Sequence, residues 1–512
     1  MPHPVLVGPP ALSLADVVSV ARDDAEVVLT DVAVAAVAAA RERIEELASG
    51  EVPTYGISTG FGALASRHIP TEQREKLQRS LIRSHSAGTG AEVEREVVRA
   101  LMLLRLRTLA TGHTGVRVET VQTYAGMLNA GITPLVREYG SLGCSGDLAP
   151  LAHCALALMG EGEVRDARGD LTDAASALAA AGLTPVRLAA KEGLALINGT
   201  DGMLGMLVLA CSDLRRLVQV ADLSASMSVE ALLGTDRVFA ADLQALRPHP
   251  GQAASAANMT RLLAGSSIVA SHVVGDTKVQ DAYSLRCAPQ VAGAVRDTLG
   301  HAELVASWEL DSVIDNPVVL SDGRVESNGN FHGAPVAFVL DFLAIVGADL
   351  ASISERRTDR MLDPARSHGL PAFLADDPGV DSGHMIAQYA QAGMVSEMKR
   401  LAAPASVDSI PSSAMQEDHV SMGWSAARKL RRSVDALTRV LAIEVLTAAR
   451  ALDLRAPLSP AAGTGAARDA VRAVAQGPGP DRFMSPEIDA VMRIVADGTL
   501  LAAAESAVGD LA

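Results

Sequence analysis

Apolar residues recur through most of the chain at the three- and four-residue spacing of amphipathic helices. In the first half this spacing predicts two helices between residues 13 and 49, one from Thr71 to His85 and one from Val93 to Ala110. Glycine-rich stretches separate these helices and are expected to form loops. The polar segment from Glu163 to Pro185 is interrupted by glycine and proline, and it predicts an excursion or a short hairpin.

After Gly202 the helical pattern lengthens. One apolar stripe of the i, i+4 type comprises Phe338, Phe342, Val346, Leu350 and Ile353. Helical patterns longer than about 25 residues are typical of bundles. We therefore predict a mainly α fold, with a long-helix bundle and oligomerisation domain at residues 202–512. A smaller N-terminal domain at residues 1–201 carries the glycine-rich loops.

Composition narrows the function classes. The chain has 512 residues, of which 49% are hydrophobic, so it exceeds the usual size of one domain. The net charge is -16 and no block of Lys or Arg occurs, so nucleic-acid binding is not expected. Apolar runs such as residues 32–40 are shorter than a membrane span. The start, Met1-Pro2-His3-Pro4, does not resemble a secretory signal, and a cytoplasmic protein is expected.

The cysteines indicate neither a metal site nor a disulfide framework. There are four, and none forms a Cys-x-x-Cys pair. They are expected to be reduced, and no metal is predicted. These are Cys144, Cys154, Cys211 and Cys287.

The most informative stretch is Gly140–Pro150, in which Cys144, Ser145 and Gly146 are consecutive. Glycines allow the backbone to fold tightly here. If the amide nitrogen of Gly146 attacks the carbonyl carbon of Cys144, a five-membered imidazolone ring forms. Loss of water from Ser145 then leaves an exocyclic methylidene. The product is an electrophile, which no unmodified side chain supplies, so this loop can become an internal cofactor.

The run from Gly140 to His153 resembles the signature of the aromatic amino acid ammonia-lyases that carry a methylidene-imidazolone (MIO) group. Further similar motifs lie at residues 55–62, 191–200, 280–287, 315–317, 328–333 and 416–423. The resemblance implies an all-α lyase fold similar to that of fumarase and aspartase, although the Gly-Ser-Ser-x-Met-Pro loop of that group is not found. It also implies an MIO in which Ser145 becomes a didehydroalanine and Cys144 is crosslinked to Gly146, with no external cofactor.

The resemblance assigns roles to residues of these motifs. Tyr55 is implied as the base that removes the β-proton, and Tyr283 as a catalytic tyrosine near the amino group. Arg286 and Asn316 are implied on the substrate carboxylate, which a guanidinium can hold with two parallel hydrogen bonds. Further substrate contacts are implied for Asn198, Gln280 and Phe331.

Two positions indicate the substrate. Ser84-His85 is the pair of the histidine-specific members, whereas Phe-Leu or His-Leu goes with phenylalanine or tyrosine. His85 can exchange hydrogen bonds with an imidazole ring. Glu417 is also typical of histidine-specific members, and it can hold the imidazole or help the leaving ammonia through proton transfer. The implied reaction is elimination of ammonia from L-histidine to give trans-urocanate, the first step of histidine degradation.

Several residues depart from those common in the family. Cys144 replaces Ala, but its side chain is not used in the cyclisation. Asp201 replaces Gln, and Ala334 replaces Glu. Met398 and Met415 replace asparagines, so the hydrogen bonds of those asparagines are expected to be lost or replaced.

Two other functions stay open at this point. One is an aromatic amino acid aminomutase or a tyrosine ammonia-lyase, against which Ser84-His85 and Glu417 argue. The other is a non-catalytic helical scaffold, which would leave the polar motif residues idle. The resemblance also implies a homotetramer whose active sites combine loops from three chains, and closed symmetric assembly suits the apolar stripes.

Overall fold

The structure, a computed structural model, describes residues 3–49, 59–60, 67, 69–276 and 278–512. The chain divides into two compact units. The first comprises Met1–Leu209, Glu303–Asp341 and Pro404–Arg428, and the second comprises Ala210–Ala302, Phe342–Ala403 and Lys429–Ala512. The division at residues 201 and 202 stays a prediction. The chain returns twice to the first unit, and such returns have no signature in local sequence.

The helices of the leading segment follow the apolar periodicity. The two helices predicted between residues 13 and 49 are present, and α4 lies within two residues of its predicted ends. Ser13 begins α1 with a capping box, in which its side chain and that of Asp16 each accept from the other residue's backbone N–H. The helices are α1 (Leu14–Arg22), α2 (Asp31–Ser49), α3 (Arg74–His85), α4 (Arg95–Leu109), α5 (Val118–Asn129), α6 (Leu148–Leu158), α7 (Ala174–Ala180) and α8 (Glu192–Ala195).

Short strands connect these helices. The predicted hairpin within residues 163–185 is confirmed, because β6 and β7 pair antiparallel there and β4 joins β6. In the other described sheets, β1 pairs parallel with β2, while β3 with β5 and β8 with β9 pair antiparallel. The strands are β1 (Val5–Val7), β2 (Val27–Leu29), β3 (Thr89–Glu92), β4 (Thr133–Pro134), β5 (Arg137–Tyr139), β6 (Glu163–Arg165), β7 (Leu171–Asp173), β8 (Val318–Val319) and β9 (Val325–Glu326).

Helix α4 forms the centre of the first unit. It contacts α1, α5, α6 and β4, and every residue from Val97 to Leu109 is buried. Its buried arginines donate to backbone carbonyls of other segments: Arg99 to Val20 and Leu128, and Arg107 to Asp311 and Ser312. Three of these carbonyls lie in the last turns of other helices, so α4 holds helix ends as well as packing against other helices.

Longer helices follow, and the predicted mainly α fold is confirmed. Three of them contain about thirty residues each, as the long apolar patterns indicate. The helices are α9 (Asp201–Ala231), α10 (Ala241–Ala245), α11 (Pro250–Leu263), α12 (Ser267–Ala270), α13 (Tyr283–Arg286), α14 (Ala288–Asp311), α15 (Ala334–Leu362), α16 (Met385–Leu401), α17 (Gly423–Asp453), α18 (Ala462–Val474), α19 (Ser485–Ala496) and α20 (Thr499–Val508).

Helix α15 is long and apolar enough to cross a membrane by length and composition alone. However, 61% of its most apolar window is buried within the structure. A mostly buried apolar helix is typical of the core of a soluble protein. The apolarity of α15 therefore reflects its packing within the protein. The sequence, whose apolar runs are shorter than a membrane span, indicates the same.

Candidate active site

The loop that contains Ser145 is folded tightly on itself. Gly143 and Gly146 form an antiparallel bridge across Cys144 and Ser145, and both glycines have positive φ, +70° and +79°. The Ser141 hydroxyl accepts from the Gly143 N–H at 3.1 Å. A Cβ on Gly146 would lie 2.0 Å from the carbonyl oxygen of Gly199, so only glycine fits here. The loop is thus held as a turn against the segment that follows Asn198.

Asp147 fixes the end of this loop and begins α6. Its N–H donates to the Gly199 carbonyl at 2.7 Å. Its side chain is fully buried, accepting from the Met203 N–H at 2.8 Å and from the Ser141 hydroxyl at 2.9 Å. Burial raises the pKa of this carboxyl to about 7, although these hydrogen bonds act in the opposite direction. The carboxyl group therefore joins the Ser145 loop to the start of α9.

Asn198 is buried beside this loop and joins it to the Asp-Asn-Pro segment. Its side-chain amide donates to the Asn316 carbonyl at 2.9 Å. The Asn316 side-chain oxygen in turn accepts from the Asn328 N–H at 3.0 Å. Asn198 and Asn316, predicted as substrate contacts from separate motifs, therefore belong to one hydrogen-bonded network.

A buried arginine of α4 donates hydrogen bonds to the same network. Arg105, fully buried in α4, donates to the carbonyls of Ala195 at 3.0 Å and Ile314 at 2.9 Å, and to the Asn198 carbonyl. It also forms an ion pair with Asp201 at 3.2 Å. Burial raises the pKa of Asp201, and the Arg105 charge opposes that shift. The acidic residue at position 201 is therefore the partner of Arg105.

His85 is the last residue of α3 and is half-buried. Its Nδ1 lies 3.0 Å from the Leu81 carbonyl and 3.1 Å from the Ser84 hydroxyl. Burial lowers the pKa of His85, against the effects of the Leu81 carbonyl and the Glu417 carboxylate. Burial thus favours the neutral ring, in which Nδ1 carries the proton because the Leu81 carbonyl can only accept. Nε2 is left as an acceptor.

Glu417 approaches the Ser145 loop from the segment before α17. Its backbone forms a bridge with Ser412, whose hydroxyl donates to the carboxylate at 2.9 Å. Its carboxylate lies near Cys144: burial, and then Glu417, raise the pKa of that thiol to about 12. Ser421 ties the same segment to the loop by donating to the Gly143 carbonyl at 3.3 Å.

Some of these side chains line a cavity of about 410 Å³ in the first unit. Four of the predicted residues lie on its wall: His85, Ser145, Asn198 and Glu417. Most of the remaining wall is apolar, and the polar side chains of Arg67, Ser80, Ser84 and Ser413 also line it. The apolar residues are Ile69, Leu77, Leu81, Leu148, Leu194 and Ile197. A mostly apolar cavity with a few convergent polar groups is typical of a small-molecule site.

The other predicted site residues lie elsewhere or outside the described chain. Asn316 and Phe331 belong to the first unit but are not among the residues described on the cavity wall. Gln280, Tyr283 and Arg286 belong to the second unit. The Arg286 guanidinium carbon lies 4.6 Å from the centre of the Tyr283 ring. Tyr55 lies outside the described residues.

The sequence arguments missed the buried residues that support the cavity. Lys191 and Asp315, each fully buried, form an ion pair at 2.5 Å next to Asn316. Both stand inside the recognised motifs, so their proximity to Asn198 and Asn316 in sequence was an available signal. Arg105 had no such signal, because one arginine in an amphipathic pattern is typical of a solvent-facing position.

Comparisons with known proteins show the family of this chain. The aromatic amino acid lyase family matches residues 12–473. The chain is 64% identical over 511 residues to a histidine ammonia-lyase of Streptomyces avermitilis, and 65% identical over 513 residues to one of Streptomyces griseus. In both cases 100% of each chain is covered.

Solved structures show the same fold. A histidine ammonia-lyase from Trypanosoma cruzi has a TM-score of 0.90 and 39% identity, with 98% of this chain and 96% of that chain covered. A tyrosine aminomutase from Streptomyces globisporus has a TM-score of 0.94 and 37% identity, with 99% and 100% covered. The resemblance drawn from the motifs is confirmed over nearly the whole chain, which belongs to the aromatic amino acid lyase family.

Proposed function

We propose that this chain eliminates ammonia from L-histidine to give trans-urocanate, using an MIO made from Cys144, Ser145 and Gly146. The proposed lyase activity is supported by 64% and 65% identity to two histidine ammonia-lyases over the full length of the chain. The cavity that brings Ser145, His85 and Glu417 together carries the proposal, because it places the future electrophile beside two groups suited to an imidazole.

The residues present fit the MIO group. The bridge between Gly143 and Gly146 already folds the two intervening residues into a turn. Gly146 has no side chain to hinder its nitrogen, and the close Gly199 carbonyl leaves no room for one. Attack of that nitrogen on the Cys144 carbonyl carbon forms one C–N bond and releases one water. Loss of the Ser145 hydroxyl and its α-proton releases the second. The finished ring would supply an electrophile for the substrate.

His85 and the substrate ring would make one defined hydrogen bond. Because Nδ1 of His85 donates to Leu81, Nε2 can accept from an imidazole N–H. Phenylalanine has no donor for this nitrogen, and tyrosine has its hydroxyl at a different distance from the ring. A site that leaves a polar group unpaired discriminates strongly against such substrates.

Two roles are assigned to Glu417, and they require different protonation states of the substrate imidazole. Its carboxylate can accept from the second ring nitrogen only when the imidazole is doubly protonated. Otherwise it serves proton transfer to the leaving ammonia. The hydrogen bond from Ser412 holds the carboxylate in place for either role.

The remaining roles concern the substrate's amino acid end. We assign Tyr55 as the base for the β-proton and Tyr283 to the amino group. Arg286 and Asn316 are both assigned to the carboxylate. The buried Arg286 Nε has no hydrogen-bond partner among the described residues. Further contacts are assigned to Asn198, Gln280 and Phe331.

We further propose that the protein is cytoplasmic and forms a homotetramer. In this assembly, neighbouring chains would complete each active site. Large apolar side chains exposed on the long helices support such an assembly, since isolated chains rarely expose them in rows. These include Leu304 and Trp308 of α14, Phe338, Phe342 and Ile345 of α15, and Ile386 and Tyr389 of α16.

The test follows the near-ultraviolet absorbance of urocanate in the purified protein with L-histidine, L-tyrosine or L-phenylalanine. We expect a rise with histidine alone. Ser145→Ala should abolish it, because alanine lacks the hydroxyl that leaves as the second water. The denatured wild type should lie two waters below the mass calculated from its sequence, whereas the Ser145→Ala chain can lie one water below its own calculated mass at most. Turnover of tyrosine in preference to histidine would refute the specificity. A β-amino acid product would instead indicate an aminomutase, which the tyrosine aminomutase likeness makes the relevant alternative.

A further inference from the structure

The second unit buries one carboxylate among donors from two other long helices. Glu444 of α17 is fully buried and accepts five hydrogen bonds, three from serines and two from Arg357. Ser224 and Ser228 of α9 donate at 3.0 and 2.8 Å, and Ser354 of α15 donates at 2.6 Å. Arg357 of α15 donates from Nε and, at 2.9 Å, from Nη2. Glu444 therefore holds this guanidinium in one orientation.

The third nitrogen of Arg357 reaches a different element. Its Nη1 donates to the Ser284 carbonyl at 3.3 Å. Ser284 lies in α13, which has only four residues and is too short to be stable by itself. Its position therefore depends on contacts with other segments, which include this hydrogen bond and the burial of Leu285 to 2% exposure.

That short helix presents the residues assigned to the substrate's amino acid end. Tyr283 is 71% exposed, and Arg286 stacks its guanidinium on the Tyr283 ring. Just before the helix, the Asp281 carboxylate accepts from the Thr235 N–H at 2.7 Å. The backbone is thus anchored at two points, while the Tyr283 side chain faces outward and Arg286 packs on its ring. Precise binding sites need such support from the residues behind them.

We propose that Arg357, oriented by Glu444, is a positioning residue that sets the direction of Arg286 toward the substrate carboxylate. This inference rests on the proposed function, which gives Arg286 that role. Stability alone does not explain the buried pair, since apolar residues of similar size often stabilise a fold equally well. Only a planar guanidinium can direct two nitrogens to Glu444 and the third to Ser284, and a lysine cannot replace it.

Arg357→Lys tests the proposal with two competitive ligands, 3-(imidazol-4-yl)propionate and imidazole. The first carries a carboxylate and the second does not. We expect the inhibition constant of the propionate to rise about tenfold, the loss of one well-placed charged hydrogen bond, while that of imidazole changes less than about twofold. KM for L-histidine should rise with the propionate constant. Equal weakening of both ligands, or of neither, overturns the proposal.

Three variants complete the experiment. Ser354→Ala removes one hydrogen bond from Glu444 and leaves Arg357 on Ser284, so it should lower the melting temperature without changing ligand preference. If Arg357→Lys fails to assemble, Arg357→Met with Glu444→Leu keeps the site packed and must show the same carboxylate-selective loss, or the proposal fails. Arg286→Gln distinguishes the carboxylate role of Arg286 from the positioning role of Arg357. If this variant loses no propionate binding, the carboxylate role of Arg286 is refuted. A loss there with none in the Arg357 variants overturns the positioning role alone.

Discussion

Replacing Gly146 with alanine tests whether close contact between the Ser145 loop and Gly199 is needed for ring formation. At φ +79° an alanine costs about 1–2 kcal/mol. Its Cβ would lie 2.0 Å from the Gly199 carbonyl oxygen and 2.3 Å from the carbon, so that carbonyl must move. The move breaks the 2.7 Å hydrogen bond from the Asp147 N–H, and an unsatisfied buried group costs about 1–3 kcal/mol. The sum, about 2–5 kcal/mol, lowers the population of the native loop by about thirtyfold to several thousandfold.

The intact mass of the denatured chain measures the result. The wild type should have lost two waters, whereas most Gly146→Ala chains should retain both and form no urocanate. Gly169→Ala is the matched control, because Gly169 has φ +86° and no atom lies within 4 Å of the added Cβ. That variant carries the backbone strain without the contact, and its ring should form fully. Full water loss in Gly146→Ala would refute the reasoning, and incomplete loss in Gly169→Ala would indicate general destabilisation instead.

Ionisable groups near the site give three smaller tests. The pKa of Asp147 is about 7 in the folded state and about 3.9 in the unfolded state. Between these pH values the folded state binds more protons than the unfolded state. Protonation of Asp147 therefore stabilises the folded state fully below about pH 4, and this contribution is lost as the pH rises through about 7. The melting temperature should therefore fall less between pH 5 and 8 in Asp147→Asn than in the wild type. With a pKa of about 12, the Cys144 thiol is ionised in about one molecule in ten thousand at pH 8, and iodoacetamide should label it in the denatured chain but not in the native protein, as peptide masses would show. Lys191→Met leaves the buried Asp315 carboxylate without its ion-pair partner and should lower the free energy of unfolding in urea by about 3–5 kcal/mol. The double variant Lys191→Met with Asp315→Leu removes the buried charge as well, so an equal loss in both variants would contradict this.

Much of the fold and part of the site could be predicted from sequence because they depend on local patterns. Helical periodicity placed α1, α2 and α4, and glycine and proline placed the hairpin of β6 and β7. The motifs identified His85, Ser145, Asn198 and Glu417, which the structure brings to one cavity. Their catalytic roles stay predictions, as does that of Tyr55, which lies outside the described residues.

The supporting residues could not be predicted because their function depends on tertiary burial. Asp201 stands where the family commonly has glutamine, and its sequence position does not show that it is buried against Arg105. Arg357 and Glu444 are 87 residues apart, and each fits the polar face of an amphipathic helix. Periodicity shows which face of a helix is polar, but it does not show whether that face meets water or a second polar face.

The buried arginines share a physical cause in this helical protein. Inside a helix almost every backbone N–H is used by the helix itself. Buried carbonyls of the last helical turns and of the irregular segments between helices therefore lack backbone donors. A guanidinium brings five N–H groups on a long stem, and one arginine can therefore satisfy carbonyls of several segments. The buried Arg105 donates to the carbonyls of Ala195, Asn198 and Ile314, and the half-buried Arg455 donates to those of Ala231, Ser367 and His368. Loops carrying chemistry can thus be fixed without strands, and a lysine, with one nitrogen in place of three, would release at least one of the segments that each arginine joins.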